Sequence, residues 1–476
     1  MPVDVTRPLC VDLDGTLLAT DTLAESLLRA IKRDFRTILL LPWWLLGGKA
    51  HLKRQVASHA LLNPEDLPCR EEVLEFLMRQ REAGRRIILV TAADDSVARA
   101  VASRFGCFDE VLASNGSINV KGKTKRRLLV DRFGEGGFDY AGDAPADLEV
   151  WQSAGEAIVV SDSPSLLRRL HQRKIRVGRR FSGHQRRLRT YLQAIRVLKW
   201  VKNVLVLVPL FLSHNAADLR LAQAALLAAM AFCFCASAIY VINDLMDLSS
   251  DRRHHAKRLR PFAAGRLPLS DAAWLVLLLL AGGLAAAWTL PKSFLLLLFI
   301  YCVASLLYSW RLKALILIDA LMLAQLYALR VWAGGEATGV VVSPWLWSFS
   351  IFFFFSLGLA KRVTELRNLR LSQAVPAHGR GYVTDDLEAL STLGGASGYI
   401  AVLVTVLYVN SADVQLLYSR PQVLYLLAPI LLYWISRLWL LVHRGEVQED
   451  PVLFALTDRA SRVAGGCLLA ILLMAL

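Results

Sequence analysis

Apolar and polar residues are patterned differently in the two parts of the chain. Before residue 190, short apolar runs are separated by mixed stretches, and residues 21–84 are predicted to be mainly helical. Short runs that alternate with helices are typical of a parallel α/β sheet. Strands are predicted at residues 9–13, 87–91, 138–142 and 157–161.

From residue 191 onward, the apolar runs become long enough to cross a bilayer. The chain of 476 residues is 55% hydrophobic. Since a spanning helix needs roughly 20 mostly apolar residues, the pattern predicts an all-α polytopic membrane domain of about nine transmembrane helices. The candidate spans are 192–213, 219–245, 270–290, 292–310, 314–333, 343–366, 395–410, 421–442 and 459–476.

Basic residues are concentrated on one side of this membrane domain. The formal net charge is +15, and Lys and Arg cluster in the loops after the second, fourth, sixth and eighth spans. Such loops face the cytoplasm, which predicts a cytoplasmic N-terminal domain and a C-terminus outside. Residues 166–190 are predicted to be a basic juxtamembrane linker in contact with anionic membrane lipids. No nucleic-acid-binding motif accompanies the charge, so nucleic acid is not an expected partner.

One apolar segment in the N-terminal part has two interpretations. Residues 38–46 (ILLLPWWLL) are too short to span a bilayer. A helix buried in the soluble domain is the default interpretation. Alternatively, the segment rests on the membrane surface, an environment that suits Trp43 and Trp44.

Acidic residues follow the first predicted strand. Asp12 and Asp14 are two residues apart, and Gly15 permits a tight turn directly after them. Two such carboxylates can share a divalent cation, while one attacks phosphorus and the other moves a proton.

Further polar residues follow the later strands. Because the carboxyl ends of parallel strands meet at one edge of a sheet, these residues can share a crevice with the first pair of acids. They are Thr91, the cations of the 122–125 segment, Asp143 and Asp147.

This set resembles the haloacid dehalogenase superfamily of phosphatases, in its phosphoserine-phosphatase-like branch. The resemblance covers about residues 8–165, with a helical cap at about 21–84 in a Rossmann-like α/β domain of residues 1–165. It implies that Asp12 is the nucleophile and Asp14 the general acid and base. It further implies that Thr91 and Lys125 bind the phosphoryl group, with Lys123 as the rival of Lys125. The residues that it implies for Mg²⁺ are Asp12, Asp14, Asp143 and Asp147.

A second acidic set lies where the second span meets the cytoplasm. Asp244, Asp247 and Asp251 are spaced three and four residues apart, which places them on one face of a helix. Acids at membrane depth are costly unless they bind cations. Magnesium that bridges these carboxylates to a diphosphate is the natural use of such a face.

The run that begins at Asn243 resembles the first signature of the UbiA superfamily of membrane prenyltransferases. The resemblance covers residues 191–476. Aromatic-substrate members have a second acid-rich signature after the sixth span, but here that loop is basic. This difference resembles the decaprenyl-phosphate phosphoribosyltransferase branch, which implies phosphoribosyl pyrophosphate and a polyprenyl phosphate as partners. The candidate substrate-binding residues are Lys202, Asn203, Asn243, Lys257, Arg258, Arg260, Tyr308, Lys313, Asp319, Arg330, Lys361, Arg362, Glu365 and Arg380.

Two enzymatic hypotheses follow from the resemblances. The first is a bifunctional enzyme of the bacterial inner membrane that transfers 5-phosphoribose to a polyprenyl phosphate, while the soluble domain hydrolyses a phosphate, chiefly the 5-phosphate of the product. The second is transfer of a polyprenyl group from its diphosphate to an aromatic or other acceptor, beside a separate phosphatase. A transporter or scaffold without chemistry does not explain the intact acidic signature. A homo-oligomer is left open.

Overall fold

The protein separates into two compact units. The computed structural model describes residues 6–34, 36–59, 62–115, 118–184, 186–215, 217–372, 381–447 and 451–476. The first unit contains Met1–Val197 and Tyr240–Leu277, and the second contains Leu198–Ile239 and Leu278–Leu476. The end of one membrane helix and the loop after it therefore belong to the same unit as the N-terminal domain.

A parallel sheet of six strands forms the centre of the first unit, in the order β3-β2-β1-β4-β5-β6. Its middle strands are buried on both faces, and an apolar cluster covers each face. The sequences of such strands are unbroken apolar runs because helices cover both faces of a parallel sheet. The strands are β1 Leu9–Val11, β2 Ile87–Asp94, β3 Glu110–Ser114, β4 Asp139–Gly142, β5 Ala157–Val160 and β6 Val177–Phe181.

Within the residue ranges given above, nine α-helices accompany the sheet in chain order. Asp21 caps the first of them by accepting a hydrogen bond from the Ala24 backbone, and Asp94 caps the fifth in the same way through Ser96. They are α1 Thr22–Arg33, α2 Thr37–Leu46, α3 Lys49–His59, α4 Glu71–Glu82, α5 Asp95–Phe105, α6 Lys123–Phe133, α7 Leu148–Trp151, α8 Pro164–Gln172 and α9 Leu188–Ala194.

The α/β prediction is confirmed, but two strands were not predicted. These are β3 and β6, and the segment that contains β6 was predicted to be a basic linker. Residues 166–190 instead contribute most of α8 and the sixth strand of the sheet. Four of the five residues of β6 are exposed, and only Phe181 is buried. Arg179 and Arg180 of this segment therefore lie on an edge strand, and the folded domain extends beyond residue 165.

The apolar segment at residues 38–46 is helical but largely exposed. In α2, only Thr37 and Trp44 are buried, and the Trp44 ring lies 4.8 Å from the ring of His59 in α3. The default interpretation, a buried helix, is therefore wrong. Because this short apolar helix has no polar face, its sequence does not indicate which side packs against the domain.

The segment Tyr240–Leu277 packs onto the N-terminal domain. Within this unit, Phe262, Leu248 and Val241 join an apolar cluster with Leu28 of α1. A buried ion pair also joins this segment to α1, with Arg252 Nη2 located 2.5 Å from Glu25 Oε1. The loop after the acidic residues is thus part of the soluble domain's packing.

Helices make up the second unit, and some of them continue into the first. Among the residues that the structure describes, six helical segments are long and apolar enough to cross a membrane: Leu219–Met246, Leu269–Ala287, Lys292–Trp310, Pro344–Arg370, Thr384–Val409 and Pro421–Arg444. The helices are α10 Val208–Leu212, α11 Leu219–Met246, α12 Leu248–Arg253, α13 Leu269–Ala287, α14 Lys292–Trp310, α15 Ile318–Thr338, α16 Pro344–Ser372, α17 Leu387–Val409, α18 Ala412–Leu417, α19 Leu427–Arg444, α20 Pro451–Thr457 and α21 Arg459–Ala475.

Six of the nine predicted spans correspond to these six helical segments, and the other three do not. The segment 192–213 is divided among α9, a 3₁₀ helix at Val197–Leu207 and α10. The segment 314–333 corresponds to α15, which carries the buried ionisable residues Asp319 and Arg330. The last segment forms α21, a helix of 17 residues. A polytopic helical membrane domain is confirmed.

Candidate functional site

The first acidic set assembles at the carboxyl ends of the central strands. Asp12 follows β1, and its Oδ1 atom lies 2.9 Å from Lys125 Nζ. Lys125 donates to the Tyr140 hydroxyl (2.7 Å), and that hydroxyl donates to Asp147 Oδ1 (2.9 Å). Asp147 Oδ2 accepts from the backbone N–H of Asp143 (3.2 Å). A continuous polar network therefore joins five residues from three separate segments of the chain.

Crowded carboxylates dominate the electrostatics of this network. Burial, with Asp147 and Asp12 nearby, raises the pKa of Asp143 well above its ordinary value. Burial and Asp12 likewise raise the pKa of Asp147. Burial disfavours the charged form of Lys125, but Asp12 and Asp147 outweigh it and raise the pKa of the amine. The lysine is therefore held as a cation among these acids.

Asp14 points away from this cluster toward the start of α1. Its Oδ1 accepts from the Thr22 backbone N–H (2.9 Å), and its Oδ2 accepts from the Thr22 hydroxyl (3.2 Å). Burial and the neighbouring charge of Asp21 raise the pKa of Asp14 to about 7. A carboxyl group with this pKa can both donate and accept a proton near neutral pH.

The structure distinguishes between the two candidate lysines. Lys123 is the first residue of α6, whereas Lys125 is buried against Asp12. Thr91 is fully buried in β2, where its Oγ1 accepts from the backbone N–H of Ala93 (3.0 Å). Lys125 is therefore the lysine that contacts the proposed nucleophile.

Two cations near the site were missed by sequence reasoning. Lys53 of α3 donates to the backbone oxygen of Ala92 (2.6 Å), next to Thr91. Arg70 donates from Nε to the backbone oxygen of Gly15 (3.0 Å). Neither residue belongs to a motif, and each is brought to the site by the packing of a segment far from it in the chain.

The carboxylates of the first set fit a divalent cation. Oxygen atoms of Asp12, Asp143 and Asp147 all lie within 4.8 Å of one another. Carboxylate oxygens are the ligands that Mg²⁺ prefers. Burial, and after it the charges of Asp147 and Asp12, raise the pKa of Asp143, and a bound cation would favour its charged form. Asp14, which was also predicted as a ligand, is not part of this set.

The second acidic set surrounds a break in the helix. Asp244 lies in the last turn of α11, and Asp251 lies in α12. Asp247, between them, has non-helical dihedral angles (φ −101°, ψ 10°). The predicted continuous helical face is therefore interrupted. Arg260 Nη1 nevertheless lies 3.1 Å from Asp244 Oδ1 and 2.5 Å from Asp251 Oδ2, and Arg196 also pairs with Asp244.

This second set is organised around arginine. Within the described ranges, Asp244, Asp247 and Asp251 do not converge as closely as the first set. Asp244 and Asp251 still approach one cationic nitrogen from two sides, so the pair can enclose a positive charge. Magnesium binding by these carboxylates stays a prediction.

In the second unit, two predicted site residues pair with each other. Arg362 Nε lies 2.5 Å from Asp319 Oδ2, and both side chains are at most 1% exposed. Tyr382 donates to Asp319 Oδ1 (2.5 Å), and Arg362 donates to the Tyr308 hydroxyl (3.0 Å) and to Glu365 Oε2 (2.5 Å). Asp319 thus joins α15 to α16 through a buried ion pair.

A second cationic group in this unit surrounds Tyr327. Arg330 donates to Asn203 Oδ1 (2.9 Å) and to the Tyr301 hydroxyl (2.8 Å). Its guanidinium lies 5.4 Å from the Tyr327 ring centroid, and Lys202 Nζ lies 5.5 Å from the same centroid. Two cations therefore share one aromatic ring among the helices.

The other predicted substrate-binding residues are distributed over several elements. Asn243 is in α11, and Lys361 is in α16. Lys257 and Arg258 belong to a 3₁₀ helix at Lys257–Leu259, and Lys313 belongs to another at Leu312–Ala314. Arg380 lies outside the described residues.

These features define a membrane protein with a hydrolase-like soluble domain and a helical domain with an acidic motif at the end of one span. Residues 9–165 match the haloacid dehalogenase-like hydrolase family. Residues 204–458 match the UbiA prenyltransferase family, and the chain belongs to that family. Both resemblances inferred from the motifs are confirmed.

Three relatives extend the comparison. The chain is 37% identical over 471 residues to the uncharacterized protein y4nM of Sinorhizobium fredii. The aligned residues make up 98% of this chain and 91% of that protein. It is 36% identical to the nodulation protein NoeC of Azorhizobium caulinodans, over 60% of this chain and 91% of that protein. It is 34% identical to a decaprenyl-phosphate phosphoribosyltransferase of Mycobacterium tuberculosis, over 37% of this chain and 59% of that protein.

Proposed function

We propose that the protein is a bifunctional enzyme that transfers 5-phosphoribose from phosphoribosyl pyrophosphate to a polyprenyl phosphate and then removes the 5-phosphate. The observation that carries the transfer step is the similarity to decaprenyl-phosphate phosphoribosyltransferase, whose name gives the acceptor lipid and the transferred group. The basic residues in the second half of α16 support the same choice, since two phosphorylated substrates need cations; they are Lys361, Arg362, Arg367 and Arg370.

In the transfer step, the bond between the anomeric carbon and the pyrophosphate breaks while an oxygen of the lipid phosphate attacks that carbon. Asp244, Asp247 and Asp251 would hold Mg²⁺, which when bound supplies charge neutralisation of the leaving pyrophosphate. Lys and Arg side chains of the basic loops would bind the remaining phosphate oxygens. The acceptor lipid would enter among the helices from the bilayer.

In the hydrolytic step, Asp12 attacks the phosphorus of the 5-phosphate, and the bond to the ribose oxygen breaks. Asp14 gives its proton to that oxygen, which the pKa of about 7 permits near neutral pH. Water then attacks the aspartyl-phosphate as Asp14 takes a proton, and phosphate leaves. Lys125, at 2.9 Å from Asp12, would hold the phosphoryl oxygens. Bound Mg²⁺ at Asp12, Asp143 and Asp147 would lower the charge repulsion between nucleophile and phosphate.

The charge distribution supports catalysis on the cytoplasmic side of a bacterial inner membrane. Both acidic sets belong to the first unit, and Arg and Lys are abundant in the segment 252–266 that follows the second set. Phosphoribosyl pyrophosphate is water-soluble, so a cytoplasmic site would receive it directly.

Doubly labelled donor tests this proposal. Membranes containing the full chain are given polyprenyl phosphate and phosphoribosyl pyrophosphate that carries tritium in the ribose and radioactive phosphorus at the 5-position. We expect the wild-type lipid to retain tritium and to lose the phosphorus as inorganic phosphate. Asp12→Asn should retain both labels in the lipid, because the nucleophile is absent while transfer continues.

A matched control and a competing substrate complete the experiment. Asp131→Asn changes an exposed acid of α6 and should behave as the wild type. Lipid without either label, together with consumption of a polyprenyl diphosphate in the presence of 4-hydroxybenzoate, would contradict the proposal and favour prenyl transfer. Equal loss of phosphorus in the wild type and Asp12→Asn would contradict the hydrolytic step alone.

A further inference from the structure

An exposed apolar surface lies on the soluble domain at α2. Leu39, Trp43 and Leu46 are 72%, 73% and 81% exposed. Exposed apolar side chains on this helix form the α2 surface, which comprises Ile38, Leu39, Leu40, Trp43, Leu45 and Leu46. A contiguous apolar surface of this kind on a folded domain marks a binding surface for a protein or a membrane.

A contact within the first unit places α2 close to the end of a membrane span. Lys32, in the last turn of α1, donates from Nζ to the backbone oxygen of Met246 (2.7 Å). Met246 is the last residue of α11, one of the helices that are apolar enough to cross the membrane. Since α2 begins five residues after Lys32, the Cα atoms of Thr37 and Lys32 are at most about 18 Å apart, and Lys32 itself contacts the end of this span.

The charge around α2 matches an anionic surface. Residues 29–59 contain seven Lys and Arg but only one acid, Asp34. Arg33 and Arg36, which precede α2, are both exposed. Basic residues beside an apolar helix are attracted to anionic headgroups. The same charges would repel each other if the α2 surfaces of two copies were brought together, so a second copy is a poor occupant.

We propose that α2 lies in the plane of the membrane, with the α2 surface inserted at the boundary between headgroups and acyl chains. The occupant is the bilayer that the chain itself crosses. At ten residues, or about 15 Å, the helix is too short to span, but helices of this type insert to a depth of about 5–10 Å.

This arrangement joins the membrane surface to the hydrolytic site. The buried face of α2 contacts α3 through the rings of Trp44 and His59, and Lys53 of α3 reaches the backbone oxygen of Ala92 beside the site. The inserted helix would hold the site next to the headgroup layer, where a phosphate linked to lipid is located. Contact with lipid can be measured whether or not the proposed reaction is correct.

Site-specific photocrosslinking in the full chain tests the inference. The photoreactive residue p-benzoylphenylalanine replaces Trp43, and the protein is placed in nanodiscs of phosphatidylglycerol and phosphatidylethanolamine. The matched control carries the same residue in place of Arg127, whose side chain is 85% exposed on α6 of the same unit. After illumination, mass spectrometry identifies what has been joined to each position.

We expect phospholipid adducts at position 43 to exceed those at position 127 by at least about tenfold, since an inserted side chain contacts acyl chains continuously. Replacing Leu39 in the same way should give the same result from a second position. Lipid adducts no more frequent than in the control would overturn the inference. Adducts that join two protein chains at position 43 would also overturn it, because a second copy would then cover the α2 surface.

Discussion

Gly15 lies where both the backbone and a neighbouring acid exclude a side chain. Its φ is +76°, and a Cβ atom built on it would be 2.2 Å from Asp143 Oδ2. A methyl group would therefore push Asp143 out of the carboxylate set that we propose for Mg²⁺. The glycine after the two acids is needed for this close approach as well as for the turn.

We expect Gly15→Ala to lower phosphatase activity about 10–100-fold, as is usual when a metal ligand is displaced. Hydrolysis of 4-nitrophenyl phosphate across a range of Mg²⁺ concentrations measures the effect. Gly106→Ala is the matched control, because Gly106 also has a positive φ (+60°) but no atom within 4 Å of its Cβ position. Equal losses in the two variants would assign the effect to backbone strain instead of Asp143.

A partly buried histidine makes the stability of the first unit depend on pH. His184 lies 3.0 Å from the backbone oxygen of Gly265, so its Nδ1 must carry the proton and donate. Burial and the nearby charge of Arg70 lower the pKa of His184 to about 4. Between pH 6.5 and 4 the unfolded chain therefore binds a proton that the folded chain does not, and stability falls as the pH decreases.

His184→Gln should remove this dependence while it retains a hydrogen-bond donor. From about pH 7.5 to about pH 5.5, the wild type should lose about 1 kcal/mol of stability that the variant keeps. Thermal unfolding of the full chain in detergent at both pH values provides the measurement. A variant that loses as much stability as the wild type would show that other groups cause the acid sensitivity.

At the scale of elements, the sequence predicted the central strands but not the edges of the sheet. The residues of β1 and of the predicted β4 and β5 are buried, so their apolar runs were visible. Both missed strands, β3 and β6, are the edges in the observed order. An edge strand is partly solvated and tolerates charge, so its sequence resembles a loop or a linker.

Candidate site residues were predictable where a motif fixed them. The acids after β1 and β4 follow a known spacing, whereas the choice between Lys123 and Lys125 depends on which side of α6 faces the sheet. The Asp319–Arg362 pair joins two helices across 43 residues of sequence, and no local pattern indicates it. The prediction of a continuous acidic helix face was wrong because the spacing of the acids alone cannot reveal the break in the helix at Asp247.

The ion pair between α1 and α12 has a measurable effect on stability. The side chains of Arg252 and Glu25 are 8% and 7% exposed, and Thr20 also donates to Glu25 Oε1 (2.6 Å). Arg252→Leu or Glu25→Leu alone should destabilise the protein by about 3 kcal/mol, because each leaves a buried charge without its partner. The double variant should be more stable than either single variant. Denaturant unfolding in micelles measures all three.

An exposed ion pair serves as the control for this cycle. Arg99 and Asp95 pair on the surface of α5, and Arg99→Leu should leave the free energy of unfolding nearly unchanged. If the double variant were as unstable as the sum of the two single variants, Arg252 and Glu25 would not be coupled.

At the scale of the whole molecule, the two proposed reactions depend on different acids of the first unit. Asp244→Asn should abolish incorporation of ribose label into lipid while 4-nitrophenyl phosphate hydrolysis and membrane insertion continue. The reason is that Asp244 belongs to the acidic set paired with Arg196 and Arg260, outside the set at Asp12. Asp218→Asn is the control, because Asp218 is exposed just before the other end of α11. Transfer that persists in Asp244→Asn would contradict a role for this carboxylate.

The discontinuous first unit has a consequence for synthesis. Its two stretches, Met1–Val197 and Tyr240–Leu277, are separated by 42 residues that belong to the second unit. Chains fold from the N-terminus as they leave the ribosome, at about 5–20 residues per second. The N-terminal sheet can form early, but Glu25 and the apolar cluster around Phe262 acquire their partners only after α11 has been translated. The first unit can therefore be completed only after the first long apolar helix has been synthesised.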